Sequence, residues 1–563
     1  MTDYKEEIIK IIKKATNLKK EEIPIEVPPN PDLGDFAFPC FILSAKLKKN
    51  PAEIAGKLKD EIKVGGVISE VKATGPYLNF FLDKGDFSKD ILLKVFKEKE
   101  DYGKGKKKNK KVMVEFFHAN THKGVHIGHV RNISLGSALA RLLESNGFDA
   151  IRVNYQGDIG PHVAKCLWGY KHLGKKPPKE GKERWLGEIY ALANKKEKQS
   201  KKVQEEIKEL NKKIYAGDKE IMELWKKTRQ WCLDDFKEIY KEFGVKYDRL
   251  YFESEVEKRG IEIAKSLEKK KIARESEGAL IVDLNKYGLG IYVVLTGEGH
   301  AVYHTKDLAL SELKAKEYKL DNSIHVVGKE QELYFKQLFK TFELIKSPLS
   351  GKSHHLIYEL VMLPEGKMSS REGNVILYYD LVNKLMSEAL KGVKDRHKDW
   401  GKKEIEKSAH EIAFGALKFS MLNKENNRVI LFDWNKALDF EGDTGPYVQY
   451  THARICSIFR RSNEKIDQNI DFKSLVEPSE QKLIKLLGDY PNLIQKSAEE
   501  MKVHSITFYL LDLSHTYNEF YHTCNILKEY DELKKARLFL SECVKQVLEN
   551  GLEILGIKAP EQM

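Results

Sequence analysis

The chain has 563 residues, of which 41% are apolar, so it is long enough for several folded domains with cores of their own. Lysine and arginine number 97 against 85 aspartate and glutamate, and the net charge of +12 is compatible with a polyanionic partner. The six cysteines are scattered singly, which excludes a CxxC zinc knuckle and the dense disulfide framework of a small secreted scaffold. No apolar run is long enough to span a bilayer, and the first residues lack a secretory or transit pattern. We therefore expect a cytoplasmic protein without membrane association.

The first part of the chain predicts a small α+β domain over residues 1–102. Apolar residues recur at helical spacing near its start, and Asn50 followed by Pro51 marks the beginning of a second helix. Residues 67–82 have the composition of strands. The basic stretch 103–111 that follows is typical of a solvated linker.

Residues 111–155 predict a strand, a loop, a helix and a second strand. Val112, Val114 and Phe116 alternate as a strand does, and helical spacing begins after Gly128. The loop between them contains four histidines: His118, His122, His126 and His129. It lies at the carboxyl end of a strand and the amino end of a helix, where backbone N–H groups and the helix dipole favour anionic ligands.

Further strands are predicted beyond a Lys- and Glu-rich helical insertion at about residues 171–250. Three short alternating runs then indicate that the parallel sheet resumes: residues 279–282, 291–295 and 324–327. A fourth run, residues 355–363, leads into a short cationic loop bounded by glycines.

Beyond about residue 410 almost every segment has helical period, so residues 411–563 predict an all-α domain. Residues 111–410 then form an α/β domain with two loops that could act together. A nucleotide held by the first loop would receive hydrogen bonds from His126 and His129, while Gly128 lets it approach the backbone closely. Displacement at an α-phosphate is catalysed mainly by positioning and positive charge, so no Ser/His/Asp triad is required.

The segments His126-Ile127-Gly128-His129 and Lys367-Met368-Ser369-Ser370-Arg371 resemble the two signatures of class I aminoacyl-tRNA synthetases. Asn120 and Lys123 stand six and three residues before the first signature, and the segments Tyr303-His304-Thr305-Lys306-Asp307-Leu308 and Gly445-Pro446-Tyr447-Val448-Gln449-Tyr450 follow later in the chain, with Gln331 between them. With these residues the chain resembles arginyl-tRNA synthetases over nearly its whole length. This resemblance implies a Rossmann-like catalytic domain with a helical insertion, an N-terminal α+β domain that contacts tRNA, and a C-terminal all-α anticodon-binding domain.

The resemblance also implies the site residues. Those expected to bind arginine are His118, Ala119, Asn120, His129, Tyr303, Asp307 and Gln331. Those expected to bind ATP are His126, Gly128, His129, Lys367, Met368, Ser369 and Ser370. Those expected to be catalytic are Lys123, His126, His129, Lys367 and Arg371. Those expected to contact tRNA are Tyr447, Tyr450 and Arg454.

The implied arginine site makes physical sense. Arginine is a planar cation with a fixed fork of donors, so Asp307 suits a paired charge-assisted contact. Tyr303 and Gln331 would add neutral acceptors, and Asn120 with His129 would hold the α-amino and carboxylate groups. Lysine would leave such a pocket with unpaired polar groups, a loss that can reach roughly 10⁴-fold in specificity.

The second signature departs from its usual form, because Ser370 stands where the family pattern has lysine. Family members with this departure are thought to rely on the lysine upstream of the first signature, which is Lys123 here. Lys123, Lys367 and Arg371 are together expected to supply the positive charge.

The implied reaction joins arginine to ATP, forming arginyl-adenylate, and then transfers arginine to the terminal adenosine of its tRNA. Family membership further implies attachment at the 2′-hydroxyl, Mg²⁺ with ATP, activation that depends on tRNA, and a monomer without zinc. Three alternatives remain: a metal site among the histidines, a class I synthetase for another amino acid, and a non-catalytic tRNA-binding protein.

Overall fold

The first hundred residues surround a three-stranded antiparallel sheet in the order β1-β3-β2. A computed structural model describes residues 2–296, 302–362, 376–462, 464 and 466–563. As predicted, the Asn50 side chain caps a helix that has Pro51 at its first position. The elements of this region are α1 (Thr2–Thr16), β1 (Phe36–Pro39), α2 (Phe41–Leu47), α3 (Pro51–Glu61), β2 (Ile68–Thr74), β3 (Tyr77–Leu82) and α4 (Lys84–Glu98).

The predicted strand, loop, helix and strand unit is confirmed. It consists of β4 (Lys111–Glu115), α5 (Ile127–Ser145) and β5 (Asp149–Gln156), and the two strands pair in parallel. Helix α5 is buried along most of its length, because the sheet lies on one side of it and C-terminal helices lie on the other. The loop before α5 is therefore held at both of its ends by the core.

Four helices and a short strand follow, namely α6 (Pro161–His172), α7 (Lys182–Gln199), α8 (Lys201–Ala216), α9 (Lys219–Glu242) and β6 (Arg249–Phe252). They confirm a helical insertion. The sheet resumes at β6, which pairs in parallel with β5. The prediction missed this strand because it has only four residues, lies at the edge of the sheet and is flanked by Lys- and Glu-rich helices.

The prediction that residues 279–282 and 291–295 rejoin the parallel sheet is wrong. With β7 (Ala273–Ser276), the strands β8 (Ala279–Asp283) and β9 (Ile291–Leu295) form a separate antiparallel sheet after α10 (Glu253–Lys269). Two residues with positive φ, Glu277 and Gly278, join β7 to β8, and so short a turn permits only antiparallel pairing.

The parallel sheet is completed by β10 and β11, giving the order β11-β10-β4-β5-β6. The elements involved are α11 (Tyr303–Glu317), β10 (Asn322–Gly328), α12 (Glu332–Leu344), β11 (Ser353–Tyr358) and β12 (Val361–Met362). The run at 324–327 was therefore placed correctly. All five strands are parallel, which is the arrangement in which ligands bind beyond the carboxyl ends.

The remainder is helical apart from β13, which pairs with β12. It comprises α13 (Tyr378–Arg396), α14 (Lys402–Leu422), β13 (Ile430–Leu431), α15 (Trp434–Ala437), α16 (Gly445–Ser462), α17 (Pro478–Glu499), α18 (His504–Thr523) and α19 (Asp531–Leu555). The predicted limit between residues 410 and 411 falls inside α14. Helices α17 and α19 contact both α4 and α5, so the C-terminal helices join the first and central regions.

The predicted fold class, a parallel-sheet α/β region with a helical insertion and an all-α C-terminal region, is confirmed. Within the described ranges, no helix combines the length and apolar character needed to cross a bilayer.

Candidate active site

A cavity of about 850 Å³ opens where the strands of the parallel sheet end. Its wall includes residues at the carboxyl ends of four strands: Glu115, Tyr155, Gly328 and Tyr358. The histidine loop after β4 borders the same cavity, at the place that the sequence predicted.

His126 and His129 form the start of helix α5. The backbone N–H of Gly128 donates to Nδ1 of His126, and the N–H of His126 donates to Nδ1 of His129, each over 3.1 Å. Because both Nδ1 atoms accept, a neutral ring carries its proton on Nε2. Burial, together with the charge of Lys123, lowers the pKa of His126 to about 4, and burial lowers that of His129 well below its usual range. At neutral pH the pair therefore offers two neutral Nε2–H donors, and it borders the cavity.

The other two histidines differ from each other. His122 is fully buried between the hydroxyls of Thr121 and Thr228, at 2.9 and 2.8 Å, so it supports the loop from within. His118 borders the cavity, and its Nε2 is buried without a hydrogen-bond partner in the described part of the chain. Among the described residues no group of three or more His, Cys, Asp or Glu side chains is placed to hold a metal ion, so nothing there supports the metal alternative.

The remaining predicted residues of this loop are not all at the cavity. Asn120 borders it and accepts a hydrogen bond from the N–H of Gly157 over 3.0 Å. Ala119 is buried behind it, with its carbonyl bonded to the side chain of Gln156. The ammonium of Lys123 lies 5.5 Å from the ring centroid of Tyr190 and is close enough to lower the pKa values of both signature histidines.

Asp307, in the first turns of α11, borders the same cavity. The hydroxyl of Tyr334 donates to its carboxyl, and burial raises the pKa of Asp307 to about 7 despite that hydrogen bond. Tyr303, one turn earlier on α11, and Gln331, just before α12, also border the cavity. The structure thus brings together a carboxyl and neutral polar groups, as the arginine assignment requires.

The second signature, residues 367–371, lies outside the described residues, so Lys367, Met368, Ser369, Ser370 and Arg371 remain predictions. The described residues on either side of it both lie at the site. Met362 borders the cavity, and the carbonyl of Ile376 accepts from the N–H of Ile127 over 3.1 Å. Tyr378 in turn donates its N–H to the carbonyl of Val125 over 2.8 Å.

The sequence matches three family models that together cover most of its length. Residues 91–434 match the model described as tRNA synthetases class I (R), catalytic domain, which is well over half of the chain. The chain belongs to the arginyl-tRNA synthetase family. Residues 2–82 match the arginyl tRNA synthetase N terminal domain, and residues 448–563 match the DALR anticodon binding domain.

Individual relatives agree with this membership over the full length. The arginine–tRNA ligase of Clostridioides difficile is 35% identical and is covered completely, as is this chain. That of Treponema denticola is 38% identical over 96% of this chain and 95% of its own. The solved structure of the arginyl-tRNA synthetase from Thermus thermophilus has a TM-score of 0.82 at 28% identity, covering 99% and 100% of the two chains. The predicted resemblance to arginyl-tRNA synthetases is confirmed.

This family member has cavity residues that the sequence prediction missed. Glu253 is buried at the cavity and pairs with Lys306 over 2.8 Å, beside Asp307 in the chain. Glu253 directly follows β6 and therefore lies at the carboxyl end of a strand of the parallel sheet. It could have been found from this position, but β6 itself was not predicted. Tyr334 was also missed, although it lies in the first turn of α12, three residues after Gln331.

Two residues of α5 that the sequence analysis did not single out, Asn132 and Arg131, hold the elements around the candidate site in place. The Asn132 side chain accepts from the N–H of Phe117 and donates to the carbonyl of Val326 over 2.7 Å, which ties the ends of β4 and β10 together. The buried guanidinium of Arg131 donates to the carbonyls of Glu359 and Leu360, at the approach to β12. A single helix therefore carries the first signature and anchors the strand that precedes the second.

The three residues predicted to contact tRNA lie together on α16. Arg454 lies 4.8 Å from the ring centroid of Tyr450 and donates to Asn518 of α18 over 2.6 Å. The hydroxyl of Tyr447 bonds to His515 over 3.0 Å. Their role stays a prediction, and Tyr450 is 38% exposed, which leaves part of its ring available.

Proposed function

We propose that this chain is an arginine–tRNA ligase. It uses ATP to convert L-arginine into arginyl-adenylate and pyrophosphate, and it then transfers arginine to the 3′-terminal adenosine of tRNA(Arg). Family membership supports the reaction class. The observation that carries the proposal is that one cavity is lined both by the neutral donors of His126 and His129 and by the Asp307 carboxyl.

The Asp307 carboxylate pairs with the substrate guanidinium, and Tyr303 and Gln331 provide neutral acceptors. Between Asp307 and the nucleotide, Asn120 and His129 hold the α-amino and carboxylate groups, with His118 beside them. Ala119 acts through its backbone, because its side chain is buried away from the cavity. This arrangement presents the substrate carboxylate toward the start of α5.

Beside His126 and His129, a substrate carboxylate oxygen attacks the α-phosphorus of ATP while the bond to pyrophosphate breaks. His126 and His129 donate from Nε2 to oxygens that gain charge, and Gly128 allows close approach of the nucleotide. Lys123, Lys367 and Arg371 supply positive charge, and Met368, Ser369 and Ser370 complete the ATP-binding segment. Mg²⁺ would be held by ATP phosphates and water, the usual arrangement for this ion.

The division into domains 1–102, 111–410 and 411–563 is part of the proposal, as are a monomeric state and a cytoplasmic location. Tyr447, Tyr450 and Arg454 would contact the tRNA. A ring and a guanidinium that stack together can receive bases on their remaining faces.

The test is to offer total tRNA and each amino acid in turn to the purified chain, and to measure ATP–pyrophosphate exchange with and without tRNA. We expect charging with arginine alone and exchange that requires tRNA. Charging with a different amino acid would assign another class I specificity, and tRNA binding without exchange would indicate a non-catalytic protein.

A further inference from the structure

The hydroxyl of Tyr155 is a buried polar group at the cavity that no described residue bonds. Tyr155 lies near the carboxyl end of β5, and its ring packs against the core on the Tyr251 side of the sheet. Its oxygen is buried and has no hydrogen-bond partner among the residues that the structure describes. Buried hydroxyls are ordinarily bonded, so one that borders a cavity calls for a ligand-based explanation.

The surroundings of this hydroxyl are acidic. Burial raises the pKa of Tyr155 well above its usual range, and the nearby carboxyls of Asp307 and Glu253 raise it further. The phenol therefore stays protonated and neutral. It is Tyr334, not Tyr155, that donates to Asp307, and Glu253 is bonded to Lys306. The oxygen lone pairs of Tyr155 are thus available beside two carboxyl groups that already have partners.

A guanidinium has five N–H donors in one plane, whereas an ammonium has three donors at one point. A bidentate contact with Asp307 uses two of the five, so a substrate guanidinium needs acceptors for the other three. We propose that the Tyr155 hydroxyl accepts one of these N–H groups and helps the site to select arginine over lysine. The proposal rests on the proposed function and adds a specificity-determining residue to it.

The test compares Tyr155→Phe with Tyr251→Phe in the full-length protein. Tyr251 is the register partner of Tyr155 on β6, and its hydroxyl is bonded to Glu317 over 2.7 Å away from the cavity. Arginine- and lysine-dependent ATP–pyrophosphate exchange is measured with tRNA(Arg), together with the KM for ATP. For Tyr155→Phe we expect kcat/KM for arginine to fall roughly 10- to 100-fold, mostly through KM, because a hydrogen bond to a charged donor is lost.

The kcat/KM for lysine and the KM for ATP should stay within about twofold of the wild-type values. The ratio of kcat/KM for arginine to that for lysine should therefore fall by the same factor as kcat/KM for arginine. Tyr251→Phe should leave that ratio unchanged. The temperature of unfolding of Tyr155→Phe should equal or exceed that of the wild type, since an unbonded buried hydroxyl is removed.

An unchanged arginine-to-lysine ratio in Tyr155→Phe would overturn the proposal. So would a lower temperature of unfolding or a failure to fold, because either would show that the hydroxyl has a structural partner. A wild-type protein without arginine-dependent exchange would instead refute the proposed function, and the two failures are distinguished by the wild-type measurement.

Discussion

Replacing Asp307 by Asn should separate arginine binding from stability. The variant keeps the size of the side chain and an oxygen that can accept from Tyr334, but it removes the charge that would face the guanidinium. Losing one partner of a buried, hydrogen-bonded ion pair costs about 3–5 kcal/mol, so the KM for arginine should rise by roughly 10²-fold or more. The KM for ATP should not change.

The same substitution should stabilise the protein without arginine. Because the folded protein raises the pKa of Asp307, the unfolded chain ionises first, and stability falls as the pH rises from the ordinary value of 3.8 toward about 7. An amide removes this penalty at neutral and alkaline pH. The rise in pKa sets an upper limit of about 4 kcal/mol on the gain, and we expect 1 kcal/mol or more in urea unfolding at pH 8.

The assay is tRNA-dependent ATP–pyrophosphate exchange between pH 5.5 and 8.5. In the wild type, binding must displace the Asp307 proton below pH 7, so kcat/KM for arginine should fall about tenfold per pH unit there. Above pH 7 the wild-type kcat/KM for arginine should be constant. In Asp307→Asn, kcat/KM for arginine should not change with pH around pH 7. A matched control is Glu312→Gln on the same helix, where the carboxylate is exposed and pairs with Arg259. A step near pH 7 that persists in Asp307→Asn would refute the assignment of the carboxyl.

Two further predictions concern the histidine loop. His126→Ala or His129→Ala should slow adenylate formation by orders of magnitude in single-turnover measurements. Binding of tRNA, measured by filter binding, should be nearly unchanged. Full aminoacylation activity in either variant would contradict the role given to the two histidines. Thr228→Val should cost about 1–3 kcal/mol of stability, because Nε2 of the buried His122 ring loses its partner and only the bond between Nδ1 and Thr121 is left. Thr341→Val should cost less in the same denaturant titration, because the Thr341 hydroxyl bonds within its own helix. Equal losses of stability in Thr228→Val and Thr341→Val would show that the destabilisation does not come from the hydrogen bond to His122.

The sequence predicted the place of the site because periodicity marks where β4 ends and α5 begins, and the histidines fall between them. It could not predict what lies behind the loop. Thr228 and Tyr240 of α9 bond to His122 and Asn154 across about a hundred residues of chain, and their spacing suggests only an amphipathic helix.

Strand identity was predictable, but strand pairing was not. An alternating pattern shows that one face of a strand is buried, but it does not show which other strand pairs with it. For this reason β8 and β9 were assigned to the wrong sheet. The sequence also did not indicate which charged residues are buried. Glu115 and Lys314 pair inside the protein over 2.5 Å, yet in the sequence each has the character of a surface residue.

The way helix α5 begins has a consequence for the acid stability of the protein. Helix starts are usually capped by Ser, Thr, Asp or Asn, which keep their acceptors at any ordinary pH. Here the cap is His126, whose Nδ1 accepts only while the ring is neutral, and His122 and His129 are also buried and neutral nearby. Below pH 6.5 these three histidines bind protons in the unfolded chain but stay neutral in the folded protein. Together they lower the free energy of unfolding by about 4 kcal/mol per pH unit, until the folded rings are protonated as well. Acidification therefore destabilises the loop that would bind the nucleotide, and the start of helix α5 that this loop caps.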